Sequence, residues 1–174
     1  MQSYGIVKLS LAQKGVVVMA KRCFKISGNF QQGGEWSQPD PGFIGYILVD
    51  EYGVFEGYTE ELYATSNDKF RLVAGVFVDD SKLVFYKLIA SSDFAPLMYV
   101  YKNGISELGD WVAFDSDGAH KGGSAKINLE RIDDTPSIAL ETIAETKEAV
   151  LNDGVEDWNG DLFSRASELI GIFG

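Results

Sequence analysis

The residues able to do chemistry are few, and their types narrow it at once. His120 is the only histidine and Cys23 the only cysteine in 174 residues. A Ser–His or Cys–His catalytic unit would have to use His120. No CxxC metal or redox pair and no intrachain disulfide can form, and a lone histidine cannot build a His-rich metal site. What remains for an enzyme is carboxylate, tyrosine or lysine chemistry, and no motif names a site for it.

Three short segments have the composition of a site. Asp157-Trp158-Asn159-Gly160-Asp161 partly matches a calcium loop, with Asp157, Asn159 and Gly160 at positions three, five and six. Val155 and Ala166 would then fall at positions one and twelve, where neither ligates through its side chain. A turn with Asn159 capping a following helix accounts for the same residues. Asp115-Ser116-Asp117-Gly118 followed by His120 offers oxygen and nitrogen donors, but a hairpin turn takes the same residues. Lys121-Gly122-Gly123-Ser124 has the composition of a phosphate loop without its spacing, and it precedes a strand rather than a helix. Glu60 and Glu61 lie on opposite faces of a strand, which rules them out as an acid/base pair. No metal or cofactor is expected.

Two sets of residues carry the binding expectation. Tyr46, Tyr58, Tyr86, Tyr99, Tyr101 and Trp111 would line a cavity with polar-tipped rings, or would be ordinary packing. Arg131 shares a strand face with Ala125, Ile127 and Leu129. If buried, it needs an anion or a stack of carbonyls and rings. Three positions fit it: against a ligand carboxylate, exposed at the strand's last position, or plugging the barrel end against Trp36.

The elements that must position these residues are mostly strands. From about residue 23 to 132, short runs rich in aromatic and β-branched residues recur every 8–14 residues. They read as strands at 23–30, 43–49, 54–62, 70–78, 83–89, 97–102, 111–114 and 124–131, with a further one at 16–19. The connections are short, among them Asp50-Glu51-Tyr52-Gly53 and Asp79-Asp80-Ser81, so neighbouring strands must be antiparallel. A glycine sits at the centre of Ile26–Phe30, Phe43–Ile47, Phe55–Thr59, Val73–Phe77 and Glu107–Trp111. Glycines repeated on one face permit coiling and close approach. Closing the sheet also removes two exposed edges. The fold expected is mainly β, an antiparallel meander of about eight strands closed into a barrel, with a flat or sandwiched sheet as the alternative. The strand at 83–89 is apolar on both faces, broken by Lys87, and so needs cover outside as well as inside.

The chain end changes period. Thr135-Pro136 starts a helix over 136–151, with Ile138, Leu140, Ile143, Val150 and Leu151 as its apolar positions. Leu162, Ala166, Leu169, Ile170 and Phe173 form the stripe of a second helix, which would cover the sheet or pair with a second chain. One or two helices are thus expected outside the barrel. Residues 1–22 read as an N-terminal extension, 23–132 as the barrel and 135–174 as a helical segment of one domain.

An eight-stranded meander followed by a helix resembles the calycin group of lipocalins, fatty-acid-binding proteins and avidin-like proteins. Gly34-Glu35-Trp36 is similar to the Gly-x-Trp signature of lipocalins, in which a late arginine packs over the tryptophan. Arg131 stands at the matching end of the chain. Gly122-Gly123-Ser124-Ala125-Lys126-Ile127-Asn128-Leu129 is similar to a late avidin strand, but continues to Arg131 where that strand has tryptophan. The resemblance implies a ligand-holding barrel and names no ligand.

Charge sets the remaining bounds. Fifteen Lys+Arg against 26 Asp+Glu give a net charge of -11, which disfavours nucleic acid and anionic membranes. The run from Val16 to Ala20 is too short for a signal core or a membrane span. The expectation is a cytoplasmic, non-enzymatic barrel binding a small apolar or amphipathic molecule. The alternative is an interaction module with a filled core, dimerising through the C-terminal helix.

Overall fold

The computed structural model describes residues 6–8, 17–19, 22–64, 69–89, 98–105, 107–115 and 118–152. A short antiparallel pair, β1 (Ile6–Lys8) and β2 (Val17–Met19), forms a sheet of its own. The rest of the β-structure is β3 (Arg22–Gln32), β4 (Glu35–Trp36), β5 (Phe43–Val49), β6 (Val54–Glu61), β7 (Phe70–Asp79), β8 (Lys82–Ile89), β9 (Met98–Gly104), β10 (Leu108–Asp115) and β11 (Gly118–Ile132). One helix, α1 (Ser137–Asn152), follows.

Strands β3 and β5 to β11 pair in chain order, each antiparallel to the next, and β11 returns to β3. The closing register runs from Ala125 opposite Phe30 to Ile132 opposite Cys23. The eight-stranded meander is therefore a closed barrel. The short pair β3–β4 is a hairpin at one rim.

Alternation along the strands divides residues between the two faces. Ile26, Phe43, Ile47, Phe55, Val73, Leu83, Phe85, Tyr101, Trp111, Ala125 and Ile127 form one buried interior cluster. Lys102, Asp110, Lys126 and Glu130 are exposed on the other face of the same strands. On β5 and β6 the outer face instead carries Tyr46, Leu48 and Tyr58. Among the described residues, no helix is long and apolar enough to cross a membrane.

The recurrent glycines do what their spacing implies. A side-chain carbon on Gly45 would collide with the Tyr58 carbonyl, and one on Gly57 with the Tyr46 carbonyl. Both glycines are on the inner face, so β5 and β6 approach there more closely than side chains allow. That asymmetry bends the pair inward.

Helix α1 packs outside, against β6 and β7. Its buried positions are Ala139, Ile143 and Thr146, over Tyr46, Leu48, Tyr58 and Phe70. The expected stripe is corrected by this phase: Ile143 is in it, but Ile138 is 63% exposed and Leu140 48%. The wall beneath is mostly aromatic, and Ala139, the smallest of the buried helix residues, is fully covered. Pro136 precedes the helix rather than starting it, its carbonyl accepting from the Ala139 and Leu140 amides. The second helix predicted after Asn159 and the loop at 157–161 lie outside the described residues.

Candidate functional site

The structure divides the expected ligand-lining set by strand parity. Tyr99, Tyr101 and Trp111 face the interior cluster. Tyr46 and Tyr58 face outward and pack under α1. Tyr86, flanked by inward Phe85 and Lys87, also points outward, and is buried. Three of the six rings therefore cannot line the interior. Trp111 is tied in place, its indole Nε1–H donating to the Gln31 carbonyl at 2.8 Å. Arg131 pairs with Phe24 at the end of β11 and is exposed. Of the three positions considered, it takes the exposed one. Lys126, not Arg131, lies over the Trp36 ring, 4.8 Å from its centroid. Gly122 and Gly123 are within β11, opposite Val112 and Trp111, and so form a ladder rather than a phosphate loop. Among the described residues, no three of His, Cys, Asp or Glu gather as a metal site.

The chemically unusual feature is a cluster of charges inside the barrel. Glu61 ends β6, Arg71 is the second residue of β7 and Lys87 is on β8, all with inward parity. The Lys87 Nζ donates to Glu61 Oε1 at 2.8 Å, and Arg71 Nη1 is 3.4 Å from the same oxygen. Lys87 has no exposed surface, Glu61 is 1% exposed and Arg71 8%. Aromatic faces line the cations: Lys87 Nζ is 3.2 Å from the Phe43 ring centroid, and the Arg71 guanidinium is 4.9 Å from that of Tyr99. Among the described residues, Glu61 Oε2 and Arg71 Nε have no hydrogen-bond partner. Charges are buried at such cost only when they are paired, and here one carboxylate serves two cations.

This arrangement shifts the groups around it. Burial, with the Arg71 charge adding to it and Glu61 opposing both, brings the Lys87 ammonium down to about 7. Burial also pushes the Tyr63 phenol up to about 12, against the Arg71 charge, with which it shares a hydrogen bond. The Tyr101 phenol is raised by burial and then by Glu61. Such perturbed groups tend to cluster at functional sites. The sequence hinted at the cluster without naming it: Lys87 interrupts an otherwise apolar face, and parity separates Glu61 from Glu60. No strand spacing predicts that β6, β7 and β8 bring the three together.

The opposite end of the barrel is an open mouth of about 420 Å³. Phe24, Phe77, Ile105 and Leu129 give it an apolar floor, and Arg22, Glu51, Asp79 and Asp80 a charged rim. Asp79 is occupied in its own turn, accepting from the Ser81 amide and hydroxyl, which holds its carboxyl below the usual range. Arg22 Nε, buried, has no partner among the described residues.

No known family, curated protein or solved structure matches this chain, so its site is read from its own geometry.

Proposed function

We propose that the chain is a non-enzymatic, soluble barrel of the calycin type that binds a small amphipathic molecule at its mouth. The observation that carries this reading is the 420 Å³ mouth with an apolar floor and a charged rim. That volume suits a small-molecule site. The middle of the barrel is filled by Phe43, Phe55, Phe85, Tyr101 and Trp111, so the ligand's apolar part rests on Phe24, Phe77 and Leu129. Its polar end meets the rim. Arg22 lines the mouth with a buried Nε that has no partner among the described residues, and would receive a carboxylate.

The test compares dodecanoate, dodecanol and dodecylamine by calorimetric titration of the purified protein. Saturable one-to-one binding is expected, lost in Leu129→Trp, which fills the floor. Arg22→Gln should weaken dodecanoate alone. No binding of any of the three, together with no co-purified small molecule in native mass spectra, would refute the reading. The interaction module with a filled core would then stand, with exposed Val78, Leu108, Ile138 and Leu140 as its surface.

A further inference from the structure

We propose that the outer wall of the barrel, over the β3–β11 seam, carries a binding site for a neutral sugar, with Trp36 as the platform on which a pyranose ring rests. This site is independent of the mouth. It is on the outward face of strands whose Ile26, Ala125 and Ile127 point into the core, and it shares no residue with the mouth.

A groove of about 400 Å³ lies between these strands and the chain from Trp36 to Pro41. That volume is within the range of small-molecule sites. Its lining differs from that of the mouth. Apart from Trp36 and Pro41, its side chains are the amides Asn29, Gln38 and Asn128 and the charges Asp40 and Lys126. The two charges offset each other, which suits a neutral ligand. An aromatic face among amides and a carboxylate matches a molecule with one apolar C–H face and a rim of hydroxyls. A pyranose has that form. Its C–H groups meet the negative face of the indole, and the amides and carboxylate donate to and accept from its hydroxyls.

Asn29 shows that the groove is built. It pairs with Lys126 across the seam and so faces outward, yet it is only 6% exposed. Its Oδ1 accepts from the Phe30 amide at 2.9 Å and from the Ser37 hydroxyl. Among the described residues its Nδ2 donates to none, and this nitrogen is left to serve the groove. A buried donor is normally satisfied, and a sugar hydroxyl would satisfy this one. The covering chain is held at both ends. The Ser37 amide donates to the Phe30 carbonyl and the Gly42 amide to the Gly28 carbonyl, each at 2.8 Å. The groove is thus preorganised, which lowers the cost of binding.

Lys126 covers the platform, its Nζ 4.8 Å from the Trp36 ring centroid. A cation–π contact at an exposed site is weak, Lys126 is exposed, and its stem is flexible. The sugar displaces the ammonium from the ring, and the ammonium then donates to the sugar's hydroxyls.

The experiment titrates the full-length protein with methyl β-D-glucopyranoside and with cellobiose, whose equatorial hydroxyls leave flat C–H faces, and follows it by heteronuclear NMR. Saturable shifts are expected at the Trp36 indole N–H and at the Asn29 and Asn128 side-chain amides. The Trp111 indole N–H, held by Gln31 inside the barrel, should not move. Trp36→Ala should weaken binding at least about tenfold, as loss of an aromatic anchor does. Asp40→Asn changes an exposed side chain without disturbing the fold, and should weaken binding about fivefold through loss of a charged acceptor. Absence of saturable shifts with both sugars would overturn the proposal. So would binding that is unchanged in Asp40→Asn and in folded Trp36→Ala, and Lys126 over Trp36 would then be a surface contact alone.

Discussion

At the scale of single residues, the interior charges set stability unevenly. Among the described residues Glu61 is the only anion of the cluster, so Glu61→Leu strands two buried cations and should cost about 3–5 kcal/mol in urea unfolding. Lys87→Met removes the surplus cation and leaves Glu61 and Arg71 as a one-to-one pair. It should cost less than about 1 kcal/mol, or stabilise, since apolar replacement of a buried ion is often neutral. The same residue fixes a pH dependence. The folded Lys87 titrates at about 7, against an ordinary value of 10.5. Between those values the unfolded chain binds more protons than the folded one, so stability rises with pH from about 7 towards 10. Above that, Tyr58, Tyr63, Tyr86 and Tyr101, all raised by burial, reverse the trend. Unfolded phenols ionise first, and stability falls. In Lys87→Met the rise between pH 7 and 10 should disappear while the fall above 10 persists, which urea midpoints at each pH will show.

At the scale of elements, the close approach of β5 and β6 and the seat of α1 are the points under strain. Gly57→Ala places a carbon against the Tyr46 carbonyl and should cost about 1–3 kcal/mol, as overpacking does. Gly33→Ala, at a rim turn with open space around it, is disfavoured by its positive φ alone and should cost less. On the helix, Ile143→Ala should cost about 2–4 kcal/mol because that side chain is buried against the aromatic wall. Leu140→Ala, at an exposed position, should stay within about 0.5 kcal/mol. Thermal unfolding of the two helix variants checks the phase of α1 directly.

At the scale of the whole molecule, closure decides which amides are protected. In an open meander, β3 and β11 would each expose an unpaired edge. In the barrel they pair with each other from residue 23 to 30 and from 125 to 132. Native-state hydrogen exchange should therefore show β3 and β11 amides as slow as those of central β7. Fast exchange confined to either strand would indicate a seam that opens. The seam is also where the mouth forms, since Phe24 and Leu129 belong to these two strands.

The sequence by itself determined the strand order, the antiparallel pairing and the start of the outer helix near residue 136, and favoured closure over a flat or sandwiched sheet. Each follows from local signals: two-residue alternation, short turns, glycines repeated on one face and a change of period at Pro136. Parity, applied strand by strand, even separated Glu60 from Glu61 and set Lys87 apart from its apolar neighbours. Only the tertiary structure decided which parity faced inward across all eight strands. It sent Tyr46, Tyr58 and Tyr86 to the outer wall and kept Tyr99, Tyr101 and Trp111 inside. It also buried Ala139 on the helix and left the more hydrophobic Ile138 and Leu140 exposed. The meeting of Glu61, Arg71 and Lys87 is of the same kind. It depends on inter-strand stagger and barrel tilt, which pair residues 10 to 26 positions apart through geometry that no local pattern encodes.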